Sequence, residues 1–367
     1  MYTSHEDIRY DFEDDPKDKK ALKPHPNIDG GWAWMMVLSS FLVHILVMGS
    51  QMALGVLNVE WLQEFHQSRG LTAWVSSLSM GITLIVGPFI GLFINTCGCR
   101  RTAIIGGLVN SLGWVLSAYA ANVHYLFITF GVAAGALRLL KAVGQLTVRV
   151  RRGFGQWSSG YFGAASLFTN RMFVAFVLWA LFAYSSFVIP FIHLPEIVNL
   201  YHLSEQNDLF PLTSIIAIVH IFGKVVLGIA ADSPCISVWT VFLMANFTLV
   251  VSIFVLPLAH TYAGLAGICA LIGFSSGYFS LMPVVTEDLV GIEHLANAYG
   301  IIICANGISA LLGPPFAGWI YDITQKYDFS FYICGLLYMV GILFLLIQPC
   351  IQMIEQSRKK YLDGAHV

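Results

Sequence analysis

The feature that most constrains this chain is a stretch without a charged residue between Asp29 and Glu60. Its length of about 30 residues exceeds the roughly 20 that an α-helix needs to cross a bilayer. The stretch opens with Gly30-Gly31-Trp32-Ala33-Trp34, and tryptophan favours the interface between lipid and water. Residues 29–34 therefore predict the entrance of a first transmembrane helix.

The composition extends this interpretation to most of the chain. Hydrophobic residues make up 57% of the 367 residues and charged residues 11%, with a mean hydropathy of +0.73, whereas soluble domains are about 25% charged. The predicted fold class is an all-α membrane protein in contact with the lipid bilayer. The net charge of −2 gives no reason to expect a nucleic-acid partner. The sequence shows no metal, cofactor or nucleophile motif, so an enzyme is not expected.

Apolar segments of helical length recur along the chain and predict about ten transmembrane helices. They cover residues 32–57, 72–95, 102–121, 123–137, 172–195, 209–231, 236–257, 262–286, 296–321 and 330–352. The fourth is short, since about 15 residues give roughly 22 Å of helix against a hydrocarbon core of about 30 Å. The predicted organisation is a tail (1–28), a first bundle of three spans and a short fourth (29–137), a basic central segment (138–171), a six-helix bundle (172–352) and a second tail (353–367).

Basic residues are distributed unevenly between the two sides of the predicted membrane. With the first tail placed in the cytoplasm, nearly all basic residues fall on the cytoplasmic side, in the two tails, the central segment and the turn at Arg100 and Arg101. Arg69 and Lys326 fall on the external side, and Lys224 lies within a span. Because cytoplasmic loops are enriched in Lys and Arg, both termini are predicted to be cytoplasmic. One external loop is predicted to be acidic and solvated: Glu196, Glu205 and Asp208.

Two joints between predicted helices share a spacing of small and polar residues. One reads Gly91-x-x-x-Asn95-x-x-Gly98-x-Arg100-Arg101 and the other Gly228-x-x-x-Asp232. Small residues let helices cross closely, and Asn or Asp can cap a helix end. The pattern indicates an internal repeat, which is one architecture of secondary transporters.

Three motifs together resemble those of the monocarboxylate transporters, a family within the major facilitator superfamily. Residues 29–34 are similar to the family's first-helix signature, and residues 91–101 to the superfamily's loop motif, with Asn95 where Asp is usual. The third, Leu312-Gly313-Pro314-Pro315-x-x-Gly318-x-x-x-Asp322, resembles the eleventh-helix motif. The resemblance implies the superfamily's fold and proton-linked transport of a monocarboxylate or other small organic solute across the plasma membrane. It also implies no cofactor, and a single-span accessory glycoprotein as a partner.

The resemblance further implies that a segment is missing from the first half. Such carriers have two bundles of six helices, but here Gly135 is followed directly by Ala136, which resembles the far end of the family's central loop. The rest of the fourth helix and the fifth and sixth helices would be absent. The N-terminal half is therefore predicted to be incomplete. Because a binding site between two halves needs both, transport is predicted to be lost in this shortened form. A non-transporting ancillary or dominant-negative membrane protein is the alternative to a working carrier.

His220 and Lys224 are the candidate substrate- and proton-binding residues. Lys224 lies deep in a predicted span, where a charge costs about 2.5–3.5 kcal/mol and indicates a functional site by default. His220 is four residues earlier, on the same helical face. The resemblance implies a substrate and proton site at these two positions, where the family carries an acid and an arginine. The alternative is that Lys224 extends to the cytoplasmic side while His220 is a hydrogen-bonded core residue.

Two further positions leave alternatives open. The family's first-helix lysine falls on Met52, so an amino-acid-like or other polar solute is an alternative to a monocarboxylate. Pro314 and Pro315 lack backbone donors and predict a bend in the tenth span. Either a gating hinge or a packing bend would fit them.

Overall fold

The computed structural model describes residues 53–86, 99–134, 167–200, 211–234 and 236–364, with isolated positions between 34 and 51. Backbone contacts separate Met1–Val43 from His44–Val367. In the first unit the described residues are helical: Trp34, Met35, Leu38 and Leu42. Several residues of the predicted motifs lie outside the described residues: Asp29, Gly30, Gly31, Trp32, Gly91 and Asn95.

The described chain is helical, which confirms the predicted class. Before the central segment lie α1 (Leu54–Phe65), α2 (Arg69–Ile85), α3 (Cys99–Ser117) and α4 (Val123–Leu126), which continues as a π-helix over Phe127–Ala134. After it lie α5 (Arg171–Leu200), α6 (Leu212–Ala231), α7 (Val238–Val255), α8 (Tyr262–Ser275), α9 (Met282–Val290), α10 (Leu295–Thr324) and α11 (Tyr327–Gly364). Helical residues fall in each of the ten predicted spans.

Six stretches of the described residues are long and apolar enough to cross a membrane. They are Arg171–Leu200, Leu212–Ala231, Val238–Leu258, Tyr262–Val290, Asn297–Thr324 and Tyr327–Ile347. Local sequence explains where two of them begin. Ser237 and Thr261 precede α7 and α8, and their hydroxyls accept hydrogen bonds from the amides of Thr240 and Gly264 at 3.2 Å each. Such caps satisfy amides that have no partner in the first helical turn.

The first half packs on the second mainly through α2 and α10, which run antiparallel. Glycines bring their backbones together. A Cβ at Gly318 would lie 2.7 Å from the Gly70 nitrogen, and one at Gly81 would lie 2.9 Å from the Gly307 oxygen. A side chain at these positions would hold the helices apart, so this contact between α2 and α10 requires glycine.

We expect Gly55→Ala to separate α1 from α5. A Cβ at Gly55 would lie 1.9 Å from the backbone oxygen of Phe191, and two helix backbones cannot yield as a flexible side chain can. The expected cost is about 2–3 kcal/mol, measured as a lower midpoint of thermal unfolding in detergent. Gly49→Ala is the matched control because a Cβ there meets nothing within 4 Å. Equal midpoints for the two variants would contradict the α1–α5 contact.

The core of the second bundle is organised around a buried amide, Asn246 of α7. Its Oδ1 accepts hydrogen bonds from Trp179 Nε1 at 3.2 Å and from the Tyr338 hydroxyl at 2.7 Å. Its Nδ2 donates to the backbone oxygen of Phe242 at 2.8 Å. Asn246, Trp179 and Tyr338 are all buried. One side chain therefore joins α5, α7 and α11 at a single point.

Candidate functional site

His220 and Lys224 lie one turn apart on α6, as the spacing predicts. His220 is half-buried, and its Nδ1 lies 2.6 Å from the hydroxyl of Ser276. That hydroxyl can donate to the backbone oxygen of Gly273 at 2.7 Å, and in this arrangement His220 Nδ1 donates to Ser276. In a neutral imidazole this leaves Nε2 as a proton acceptor.

A break in the neighbouring helix lies beside these two residues. Between α8 and α9 the chain forms a 3₁₀-helix over Ser276–Ser280. The Ser280 hydroxyl donates to the Gly277 oxygen at 2.9 Å and lies 3.4 Å from the backbone oxygen of Lys224. Irregular backbone within a membrane is tolerated where it is buried in protein or lines a cavity, and broken helices form solute sites in transporters. The Ser-Ser-Gly run at 275–277 is the sequence signal for this break.

The break packs backbone to backbone against α6. A Cβ at Gly277 would lie 2.4 Å from the carbonyl carbon of Gly223, and a Cβ at Gly223 would lie 2.3 Å from the backbone oxygen of Phe274. The glycine pair therefore sets the distance between the break and the turn that carries Lys224.

An aromatic cluster, made of Tyr184, Phe187 and Phe279, stands next to His220. The ring centroids of Phe187 and Phe279 are each 6.2 Å from that of His220 and 5.0 Å from one another. Tyr184 lies 5.8 Å from Phe279. The imidazole thus has a hydrogen-bonded side and an apolar side, which suits a small solute with one polar end.

Lys224 has an exposed side chain. Among the described residues it forms no ion pair. A cation that no described carboxylate neutralises can bind an anionic solute.

The first half contributes a separate set of polar groups. Four side-chain oxygens of α1 and α2 are buried without a hydrogen-bond partner: those of Asn58, Ser76, Ser77 and Ser79. Buried polar atoms are normally paired, so these are additional candidates for contacts with water or solute. Their role could not be predicted from the sequence, because small polar residues are common where membrane helices pack together.

The eleventh-helix motif forms part of one continuous helix, α10, which runs through Pro314 and Pro315. A Cβ at Gly313 would lie 2.6 Å from Ser185 Cβ, so this glycine lets α10 approach α5. The Pro314 oxygen accepts a hydrogen bond from His193 Nε2 at 3.0 Å. These contacts show what the motif does in packing, whereas its gating role stays a prediction.

Asp322, at the end of the same motif, caps α2. Its two carboxylate oxygens accept hydrogen bonds from the backbone amides of Arg69 and Gly70, at 3.1 and 3.0 Å. A carboxylate at a helix N-terminus also interacts favourably with the helix dipole. The motif therefore connects the second half to the first at this end.

The prediction that Glu196 belongs to a solvated loop is wrong. α5 continues past Pro195 to Leu200, and Glu196 is only 5% exposed. It pairs with Arg69 Nε and accepts a hydrogen bond from the Tyr327 hydroxyl. The charge was assigned to water because its partners are distant in sequence. Glu205 and Asp208 lie outside the described residues.

The loop-motif residues are described only in part. Arg101 is exposed in the first turn of α3, where Arg100 is also helical. At the corresponding joint, the Asp232 amide ends α6 by donating to the Gly228 oxygen at 3.1 Å. Asp232 thus stands at the helix end, as the repeat predicts.

The chain is similar to known membrane transporters. A family model described as Major Facilitator Superfamily matches residues 174–360. The chain is 65% identical over 510 positions to monocarboxylate transporter 14 of Homo sapiens, covering 100% of both chains. It is 27% identical over 487 positions to monocarboxylate transporter 9 of Rattus norvegicus, covering 90% of this chain and 96% of that protein. The crystal structure of nucleoside transporter NupG matches with a TM-score of 0.65 and 11% identity, covering 85% of this chain and 98% of that one, which shows the fold alone.

The lengths of these matches bear on the predicted missing segment. The 510-position alignment includes both chains entirely, yet this chain has 367 residues. The relative therefore contains internal sequence that this chain lacks, which confirms a shortened form. The predicted junction, Gly135–Ala136, lies outside the described residues.

Proposed function

The chain belongs to the monocarboxylate transporter family of the major facilitator superfamily, and on that basis we propose that it carries a small organic anion through the membrane together with a proton. Membership of a transporter family confirms that it is a multi-pass membrane protein and not an enzyme. A monocarboxylate is the proposed solute, and an amino-acid-like solute is the alternative, because Met52 replaces the family's first-helix lysine.

The observation that carries this proposal is the position of His220 and Lys224 beside the broken helix. Lys224 supplies a cation without a carboxylate partner among the described residues, and His220 supplies an imidazole whose Nε2 can accept a proton. Tyr184, Phe187 and Phe279 supply an apolar wall next to the imidazole. A carboxylate with a short apolar tail matches these three features.

The proposed location is the plasma membrane, with both termini in the cytoplasm and a single-span glycoprotein as partner. The orientation is supported by the basic tails and central segment. It places the end of the bundle that contains Arg69, Asp322 and Lys326 on the external side. Proteolysis of intact and permeabilised cells, followed with tags on each tail, checks the orientation.

We expect proteoliposomes containing the purified chain to take up a short monocarboxylate faster when the outside is acidic. Lys224→Met should lower this uptake at least about tenfold, because a charge-assisted hydrogen bond to a carboxylate contributes about 1.5–3 kcal/mol. Lys224→Arg should retain part of the uptake since it keeps the charge.

Val225→Met is the matched control for this experiment. It places the same side chain at the next position of α6, where Val225 is 57% exposed, and it should leave uptake unchanged. Uptake that is equal in the wild type and Lys224→Met would overturn the assignment of Lys224. A panel that adds amino acids to the monocarboxylates identifies the solute class.

A second candidate function is a non-transporting membrane protein that associates with a complete carrier. It is favoured by the internal sequence that this chain lacks relative to its 65% identical relative. It is also favoured by α6, whose Ile221, Phe222, Val225 and Ile229 are exposed. A folded chain that takes up none of the panel, yet co-purifies with a complete carrier and lowers its uptake, would support this candidate over the first.

A further inference from the structure

A buried polar chain lies outside the site formed by His220 and Lys224. It consists of His193 and Glu196 on α5 and Tyr327 at the start of α11, and these three residues are called the polar chain below. They are 0%, 5% and 1% exposed, respectively. The Tyr327 hydroxyl bonds Glu196 on one side and lies 3.3 Å from His193 Nδ1 on the other.

A neutral His193 and an ionised Glu196 together carry one proton too few to complete the hydrogen bonds of the polar chain. The Pro314 oxygen can only accept, so His193 Nε2 donates to it at 3.0 Å. Tyr327 has one hydroxyl proton, which it donates to Glu196. His193 Nδ1 then makes a favourable contact with the Tyr327 oxygen only if it donates as well. A histidine that donates from both nitrogens is an imidazolium cation.

The same additional proton can also reside on Glu196. In that arrangement the Glu196 carboxyl donates to the Tyr327 oxygen, the Tyr327 hydroxyl donates to His193 Nδ1, and His193 Nε2 still donates to Pro314. Every hydrogen bond is again complete, and the total number of protons is unchanged. Without this proton, two acceptors face each other in the interior, and a buried polar atom loses its partner.

We propose that the polar chain is a proton-binding site, and that its bound proton favours the arrangement in which the first half is closed against the second at this end. Glu196 also pairs with Arg69, the first residue of α2, and α2 is capped by Asp322 of α10. The polar chain therefore stands where α2, α5, α10 and α11 meet. The inference rests on the proposed function only in taking separation at this end as a step of transport.

The surroundings of the polar chain provide both charge balance and access. From α2 comes Arg69, whose guanidinium lies 4.1 Å from the Tyr321 ring centroid of α10. α1 also packs on α5, but its carboxylates Glu60 and Glu64 are exposed. Among the described residues, the other ionisable neighbours are Asp322 of α10, Asp328 of α11 and His260 before α8.

A cavity lies beside one member of the polar chain, Tyr327. Its volume is about 290 Å³, and its lining includes Ile197, His260, Tyr327 and Asp328. Tyr327, the middle member of the polar chain, therefore borders a space large enough for several water molecules. This cavity is the proposed route by which the proton exchanges with water.

The test measures the distance between spin labels at Gln67 and Lys326 in the purified full chain, in lipid nanodiscs and without solute. Both residues are exposed and lie in the loops that flank α2 and α10. Labelled non-canonical amino acids leave the seven native cysteines unchanged. Since the closed arrangement binds the proton, the fraction of molecules whose two halves are separated at this end should rise between about pH 5 and about pH 8. For one proton, the ratio of separated to closed molecules changes by at most about tenfold per pH unit.

Glu196→Gln should remove this pH dependence. The glutamine amide can donate to Tyr327 and its oxygen can accept from Arg69, so the hydrogen bonds are complete without an additional proton. Tyr327→Phe should remove the dependence as well, because it disconnects His193 from Glu196 by deleting one hydroxyl. The controls His260→Gln and Asp328→Asn change the neighbouring ionisable groups and should keep the wild-type response.

A flat response in the wild type, or a wild-type response in a folded Glu196→Gln or Tyr327→Phe protein, would overturn the proton site. Loss of the response in His260→Gln would also overturn it, by assigning the titration to His260. Because no solute is present, these results are independent of uptake. If the protein shows the pH-dependent distance change but takes up no solute, the result would contradict transport and support the proton site.

Discussion

Asn246→Leu should destabilise the second bundle by about 3–5 kcal/mol, the largest effect expected from a single polar substitution in this chain. The substitution removes the acceptor shared by Trp179 Nε1 and the Tyr338 hydroxyl, which are buried. Each unsatisfied donor costs about 1–3 kcal/mol. Leucine has the same branching and the same number of side-chain heavy atoms as asparagine and a larger volume, so the loss cannot be attributed to a cavity.

The measurement is the midpoint of thermal unfolding in detergent. It is monitored by size-exclusion chromatography of protein that has been heated to a series of temperatures. Thr248→Val is the matched control on the same helix. Thr248 is partly exposed, and its hydroxyl donates within its own helix, to the Met244 oxygen at 2.9 Å, so its replacement leaves no group of another helix without a partner and should change stability by less than about 1 kcal/mol. A stable Asn246→Leu protein would contradict the assignment of Asn246 as the point that joins three helices.

Gly277→Ala should abolish the contact between the 3₁₀ break and α6, and with it uptake through the proposed site. The new Cβ would lie 2.4 Å from the carbonyl carbon and 2.6 Å from the oxygen of Gly223. Relief requires one helix to move, and overpacking of this kind costs about 1–3 kcal/mol or more. The movement displaces the turn that contains Lys224, so we expect uptake to fall by about tenfold or more.

Gly267→Ala provides the control within α8. A Cβ there meets nothing within 4 Å, and alanine is favoured over glycine in a helix interior by about 0.5–1 kcal/mol. Uptake and stability should be equal to or above those of the wild type. Normal uptake by Gly277→Ala would show that the spacing between α6 and the break is not critical for the solute.

Much of the helical architecture could be predicted from hydropathy alone. The predicted span 209–231 corresponds to α6 at Leu212–Ala231, and the predicted span 296–321 to α10 at Leu295–Thr324. Such boundaries are visible because charged and polar residues interrupt apolar runs at membrane surfaces. The first-half motifs at residues 29–32 and 91–95 remain predictions, since they lie outside the described residues.

The end of α5 shows where this reasoning failed. The prediction ends the span at residue 195 and places Glu196 in a solvated loop, because a carboxylate prefers water. In the structure, the helix continues and the carboxylate is paired with Arg69, 127 positions away. A partner at that distance is not visible in one sequence, so neither the burial of Glu196 nor the involvement of His193 could be predicted.

The charged and titratable residues of the candidate site could be predicted from the sequence, but the residues that pack around them could not. A lysine inside an apolar run is conspicuous, and the four-residue spacing placed His220 on the same face. The partner of His220, Ser276, is 56 positions away in a helix that the hydropathy pattern treats as continuous. Gly277 of that 3₁₀ segment packs on Gly223, a tertiary contact that is not visible in one sequence.

The capping of α2 by Asp322 has a consequence for the order of synthesis. The two bonded residues Arg69 and Asp322 are 253 positions apart. At about 5–20 residues per second, α2 is made roughly 10–50 s before the carboxylate that caps it. During that interval the first amides of α2 lack the carboxylate of Asp322, and the glycine face of α2 lacks α10. A newly made chain should therefore be most exposed to membrane chaperones and quality-control proteases between the insertion of α2 and that of α10.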